Sequence, residues 1–304
     1  MISVVIHPKV ISLMVLMLAL GAASCAPIQP TNPAGPRASA YPVLLVEDNL
    51  RRETAMAAAN RLRQTIGLPV KLINDESSAA DAANPTESNL SPITATISNL
   101  PAGGNQPLYL PKIGVDAVMN EEETRESLRR FIREWRLLIG ADPARLALVE
   151  HKVEPDGTNV ANYDHRPFRY ALRGNYGKLQ IRFTPDRRVL SLVSTCIPDA
   201  ERVSSALGAL AATGALADKL EAVEAIKELQ EHDITYTNPA GVTSTFRLPL
   251  ATEFKPTELV TYVRPSATKP NTLEFHIAWE IEVDNAPVKR LYVDSINGEI
   301  LAAL

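Results

Sequence analysis

From Phe275 to Val283 every second residue is large and apolar: Phe275, Ile277, Trp279, Ile281 and Val283. A helix would scatter a two-residue period around its circumference, whereas a pleated strand collects it on one face. The pattern therefore predicts a long strand over Leu273 to Val283, apolar on that face and carrying Glu274, His276, Glu280 and Glu282 on the other. Burial on one side only is the habit of antiparallel sheets, since parallel sheets are covered on both faces. The apolar side then needs a second layer to cover it.

Helices that supply such layers are legible. Over Glu121 to Ile139 the residues Leu128, Phe131, Ile132, Trp135, Leu138 and Ile139 recur at steps of three and four, Glu121-Glu122-Glu123 sits where the helix dipole favours negative charge, and Gly140 is a suitable stop. Short strands follow at Leu146 to Val153, Phe168 to Leu172, Leu179 to Phe183 and Val189 to Val193, with turns at Asp156-Gly157 and Pro185-Asp186. The same plan then returns. Ala217 to Leu229 places Leu220, Val223, Ile226 and Leu229 on one helical face, after a softer Ala-Gly stretch from Ser204 to Leu216. Strands are predicted at Leu259 to Val263, Leu273 to Val283 and Val288 to Val293, and Asn297-Gly298 turns the chain into Glu299 to Leu304. The fold class is α+β, two successive helix-plus-antiparallel-sheet modules. Upstream of them, Tyr41 to Val46 reads as a strand and Asn49 to Ile66 as a helix ended by Gly67-Leu68-Pro69. Asn74 to Pro92 reads as a loop, and Ile93 to Leu100 as a strand closed by Pro101-Ala102-Gly103-Gly104.

The first 40 residues have a different character. Met1 to Lys9 carries a single Lys, Val10 to Ala23 is an apolar run shorter than the roughly 20 residues of a spanning helix, and small residues follow. This is the shape of a signal peptide over residues 1–24. Ala22-Ala23-Ser24-Cys25 resembles a lipobox, with Ala22 where Leu is usual, and makes Cys25 the candidate lipidation site. Simple secretion, with cleavage after Ala23 or Ser24, leaves instead a thiol able to pair with Cys196, the only other cysteine. Residues 25–40, rich in Pro, Asn, Thr and Gly, are expected to be a disordered tether. Composition suits an ordinary globular protein, with 45% hydrophobic and 22% charged residues, and the net charge of −4 lacks the basic field that nucleic-acid binding needs.

Leu128 to Ile139, Asp142-Pro143-Ala144-Arg145-Leu146, Phe168-Arg169-Tyr170, Leu179-Gln180-Ile181-Arg182-Phe183 and Asp186-Arg187-Arg188-Val189-Leu190-Ser191 resemble the FTP module, the propeptide domain of fungalysin and thermolysin. Ala278-Trp279-Glu280-Ile281-Glu282-Val283, Arg290-Leu291-Tyr292-Val293-Asp294 and Asn297-Gly298-Glu299-Ile300-Leu301 are similar to the PepSY module that follows it in the pro-regions of thermolysin-like metalloproteases. The resemblance implies an FTP-like domain over 121–200 and a PepSY-like domain over 201–304, with 41–120 an unassigned N-terminal α/β extension. Such pro-regions are normally continued by a protease with a zinc-binding His-Glu-x-x-His helix. None of His7, His151, His165, His232 and His276 has that spacing.

The remaining chemistry is sparse. Glu274, His276, Glu280 and Glu282 form a row suited to acid-base work or to cation binding, and equally to the polar face that a one-sided strand requires. Asp164-His165 are adjacent and so face opposite ways on a strand. Gly103-Gly104 and Gly174-Asn175-Tyr176-Gly177 lack the Lys-Ser or Lys-Thr of a phosphate loop, and Ser191 and Ser194-Thr195-Cys196 lie in no nucleophile elbow. Trp135 and Trp279 read as core anchors and Cys196 as a small buried residue. Arg129, Arg130, Arg133 and Arg136 give the first helix a basic side. The expectation is an exported protein that is not an enzyme, needs no metal or cofactor and binds no nucleic acid. It would meet the membrane of the cell envelope through a lipid anchor only, and bind, inhibit or assist the folding of a secreted zinc metalloprotease in trans. The contact offered for that partner is the chain end, through Ile300, Leu301 and Leu304. The alternative is an envelope lipoprotein serving as a structural or interaction module with no protease partner.

Overall fold

In a computed structural model, residues 41–70, 89–115, 119–212, 221–231, 233–237, 243–248 and 252–304 are described. In chain order the elements are β1 (Val43–Val46), α1 (Asn49–Thr65), α2 (Glu121–Glu134), α3 (Arg136–Ile139), β2 (Leu146–Val153), β3 (Asn159–His165), β4 (Ala171–Gly174), β5 (Lys178–Phe183) and β6 (Val189–Ser194). They continue with α4 (Ala200–Ala212), α5 (Ala222–Glu231), β7 (Asp233–Thr237), β8 (Thr243–Arg247), β9 (Glu253–Pro265), β10 (Thr272–Asp284), β11 (Arg290–Asp294) and β12 (Ile300–Ala303). The chain is α+β, with several helices and mostly antiparallel sheets.

The first sheet has the order β2-β3-β5-β6 and is antiparallel throughout. Its apolar face is closed by α1, α2 and α3, with Leu62, Leu128, Phe131, Ile132, Leu138 and Ile139 packed against Tyr163, Leu179, Ile181 and Leu192. The period read in the sequence is therefore the one that is buried. The start of α2 is fixed by a capping box in which the Asn120 carboxamide accepts from Glu123 N, and the Glu123 carboxylate accepts from Asn120 N, both at 2.9 Å. The helix pauses at Trp135, then resumes as α3 and stops at Gly140, which is left-handed with φ 79°.

Two expected strands come out differently. Ile93 to Leu100 forms no strand, although it alternates. Ala95 has φ 49°, Ile97 N donates to Leu138 O, and Ile97 O accepts from Ser194 N, so apart from a single antiparallel bridge between Leu90 and Ile97 its backbone groups turn to the end of α3 and the end of β6 instead of to a ladder. The strand expected over Phe168 to Leu172 starts later, at Ala171, and leaves the first sheet. As β4 it pairs parallel with β9, Ala171 beside Val260 and Gly174 beside Val263. Its place between β3 and β5 in sequence is no guide to its place in space.

The second sheet has the order β12-β11-β10-β9-β4, and β1 pairs with β10 from Val43–Phe275 to Val46–Thr272. Since β11 pairs with β10 between residues 278 and 282, β1 and β11 share one side of β10 end to end. The predicted long strand is the centre of this sheet. Its odd-numbered face is covered at one end by α4, with Val203, Leu207 and Leu210 near Phe275 and Ile277. At the other end Ala225 and Leu229 of α5 join Ile281 and Val283. Trp279 is half-buried against this second group, whereas Trp135 is buried in the first core. A two-stranded hairpin of β7 and β8 completes the described chain.

Candidate functional site

The even-numbered face of β10 is where ionisable side chains gather. Antiparallel pairing puts directly opposed residues on the same face. β9 thus adds Glu258 opposite Glu280, Tyr262 opposite His276 and Arg264 opposite Glu274. β11 adds Tyr292 opposite Glu280 and Asp294 opposite Ala278. The apolar residues of this face, Val260, Tyr262, Ala278, Tyr292, Leu301 and Ala302, all belong to the sheet itself. A solvent-facing polar strand surface is the simplest reading of Glu274, His276, Glu280 and Glu282. In the structure His276 and Glu280 are instead buried, and Glu274 and Glu282 are half-buried.

His276 is held at both nitrogens. Nδ1 lies 2.7 Å from Asp294 Oδ2, and Nε2 lies 3.5 Å from Glu274 Oε2. Asp294 is fully buried and accepts from several other donors: Tyr41 OH at 2.9 Å, Ile296 N at 2.8 Å and Asn297 N at 3.4 Å. The last two bonds shape the turn between β11 and β12. Tyr41 OH also accepts from Ile277 N at 3.0 Å, and its ring meets the His276 ring edge to face at 5.9 Å. Burial, with the Asp294 charge beside it, pushes the Tyr41 phenol far above its ordinary value. Partial burial acts upward on Glu274, but hydrogen bonds from Ser266, Arg264 and His276 outweigh it and hold the carboxyl below the usual range.

Glu280 is held by arginines. Arg173 Nε donates to Glu280 Oε2 at 2.5 Å while its Nη2 donates to Glu258 Oε1 at 2.6 Å. Arg290 Nε lies 3.1 Å from Glu280 Oε1, an ion pair without hydrogen-bond alignment. The rings of Tyr262 and Tyr292 lie 4.7 Å apart beside this group. Arg264 joins Glu274 to Glu299 at 3.1 and 2.7 Å. A buried carboxylate needs such partners, because uncompensated it costs several kcal/mol.

As chemistry, the arrangement is closed. General acid-base work needs a ring nitrogen or carboxyl within hydrogen-bond reach of a bound substrate, and here both imidazole nitrogens already face carboxylates while Glu280 lies between two guanidinium groups. Two clefts on the described surface lie between α2 and β2. Among the described residues no group of three His, Cys, Asp or Glu side chains is placed to hold a metal ion. What the network does is tie β1, β4, β9, β10, β11 and the last turn to one another.

Other residues singled out in the sequence have simpler surroundings. His165 is buried and its Nδ1 accepts from Ile197 N at 3.3 Å, while Asp164 points away from it to Lys178 Nζ at 2.8 Å. Burial lowers the His165 pKa to about 4 and raises the Cys196 thiol to about 12. Ser194 Oγ donates to Ile139 O at 2.6 Å, so it holds α3. On α2, Arg129 and Arg130 both pair with Glu126. The chain end is β12. Leu304 N donates to Arg290 O, and Leu304 O accepts from Lys289 N and Arg290 N. Ile300 is half-buried, Leu301 is buried under the tyrosine face, and Leu304 alone of the three is exposed. Cys25 lies outside the described residues, and no helix within them is long and apolar enough to cross a membrane.

No protein-family model matches the chain, and no curated protein matches it. The site residues that sequence reading did not single out are Tyr41, Arg173, Glu258, Tyr262, Arg264, Glu299, Arg290, Tyr292 and Asp294. The two-residue alternation of Arg290, Tyr292 and Asp294 against Leu291 and Val293 was a signal for the last three. Tyr41 and Arg173 come from remote segments, and no local pattern marks them.

Proposed function

We propose that this chain is an exported, non-catalytic binding protein of the propeptide type, held at the cell envelope through Cys25 and acting in trans to inhibit a secreted zinc metalloprotease or assist its folding. The observation that supports this reading is the closure of the polar face: His276 between Asp294 and Glu274, and Glu280 between Arg173 and Arg290. Groups committed to one another in this way stiffen a sheet, and a stiff preorganised surface favours binding because little order is lost on association. The metalloprotease comes from the FTP and PepSY resemblance. The test is to add the purified protein to a thermolysin-like protease, and separately to that protease as it refolds. The expected result is stoichiometric loss of proteolysis or an increased refolding yield.

The second reading, an envelope interaction module with no protease partner, is favoured by the pairing of β12. A product-like entry of Ile300 to Leu304 into a cleft would require the bonds of Leu304 to Lys289 and Arg290 to be given up. Unchanged proteolysis and unchanged refolding in the same two assays would decide for this module.

A further inference from the structure

β2 is an eight-residue edge strand, and among the described residues only β3 pairs with it. Most other edges are short or covered, and the part of β9 that β4 leaves unpaired, ahead of Val260, is interrupted by Pro256. β4 and β12 have four residues each, and the outer side of β6 is closed by bonds from Val189 N to Leu108 O, Leu110 N to Arg187 O and Ser194 N to Ile97 O. A long open edge presents unpaired N–H and C=O groups to any passing strand. This one also exposes Val149 and Val153, at 58% and 65% of their surface. Beside it lies a cleft of about 490 Å³ lined by Glu121, Arg125, Leu148, Val149, Glu150 and His151.

We propose that this edge pairs with the same edge of a second copy, antiparallel, about a two-fold axis at His151. A two-fold interface brings one surface against itself, so it must be self-complementary. The run Val149-Glu150-His151-Lys152-Val153 has that property. Antiparallel pairing centred on His151 sets each Glu150 opposite a Lys152 and each Val149 opposite a Val153. A shift of one residue destroys the match: it opposes Glu150 to Val153 and His151 to Lys152, or, in the other direction, Val149 to Lys152. Opposed unlike charges and opposed apolar side chains stabilise strand pairs, and like charges do the reverse. Register is therefore written into five residues.

The surroundings agree with this. Lys152 and Glu150 lie 3.9 Å apart in the same chain with about half of each side chain exposed, and the Arg125–Glu121 pair at the cleft is more exposed still. Exposed pairs of this kind are weak and exchange partners readily. The bulge falls at Val149, between Leu148 and Glu150, so Glu150, His151 and Lys152 lie within the regular stretch and the Val149–Val153 pairs lie at its limit. The assembly is then one eight-stranded sheet with four strands from each copy, joined by a small contact.

Sedimentation velocity of the purified protein over a concentration series tests this. Wild type is expected to dimerise, and Glu150→Lys and Lys152→Glu, each of which makes the opposed pairs like-charged, to weaken the dimer about tenfold or more. The double exchange, carrying both changes in one chain, restores it. An equimolar mixture of the two single variants associates more tightly than either alone, an outcome that loss of a contact within one chain does not produce. A protein monomeric throughout the series, a dimer indifferent to both single changes, or a mixture with no gain would each overturn the proposal.

Discussion

His165 shows how one side chain ties stability to acidity. It is buried, its Nδ1 accepts from Ile197 N, and burial holds its pKa at about 4, against an ordinary value near 6.5. The folded chain keeps the ring neutral while the unfolded chain protonates it, so between these two values the unfolded state binds the extra proton. Stability from this residue is complete above about pH 6.5 and is lost as pH falls toward 4, by about 3 kcal/mol in all. Denaturant midpoints measured from pH 7 to 4.5 should therefore show wild type losing its advantage over a His165→Asn variant by about 1.4 kcal/mol per pH unit below 6.5; parallel curves would remove His165 as the cause. The signals for such residues in the sequence were uneven. The strand containing His165, β3, was not expected at all, because Asn159, Asn162 and Asp164 disfavour strands and its inward residues Ala161, Tyr163 and His165 make no obvious apolar row. In the candidate site, Glu274, His276, Glu280 and Glu282 were legible as a row, but what neutralises them was not.

Among the elements, those with a strong period were found where the pattern put them: α2 with α3, and the central strand β10. Elements whose backbone bonds are decided by distant partners were not. Ile93 to Leu100 has a strand's alternation, yet its fate is set by Leu138 and Ser194, and β4 is claimed by β9. Gly140 is the joint between the legible and illegible parts. It ends α3 with φ 79°, and a Cβ there would lie 2.5 Å from Thr96 Cγ2. Gly157, in the β2–β3 turn with φ 83°, has open space where its Cβ would be. Gly157→Ala should cost only the backbone strain of a left-handed residue, about 1 kcal/mol, and Gly140→Ala at least about 1 kcal/mol more, since Thr96 must also move. Chemical denaturation of both variants reads the difference directly; equal losses would mean that the 93–100 segment yields without resistance.

At the level of the whole molecule, the two modules visible in the sequence are joined more closely than their order suggests. β1 and β4, both from before residue 200, pair with β10 and β9, and the core beneath α4 draws on Val43, Leu45, Phe168, Tyr170 and Ile197 as well as on Phe275 and Ile277. No local period announces such contacts, which is why the architecture was legible by class and not by connection. A fragment of residues 201–304 should therefore lack a cooperative thermal transition, while the complete chain unfolds in one step. Calorimetry of both distinguishes this from two independently melting bodies, which would appear as a stable fragment and two separate peaks. The attachment of Tyr41 has a mechanical meaning as well. The phenol is bonded to Asp294 and Ile277 at the middle of the sheet, immediately ahead of a strand paired along β10. A pull on Tyr41 directed along β1 would strain its pairs with β10 together instead of peeling them one by one, and the Tyr41–Asp294 bond would share that load.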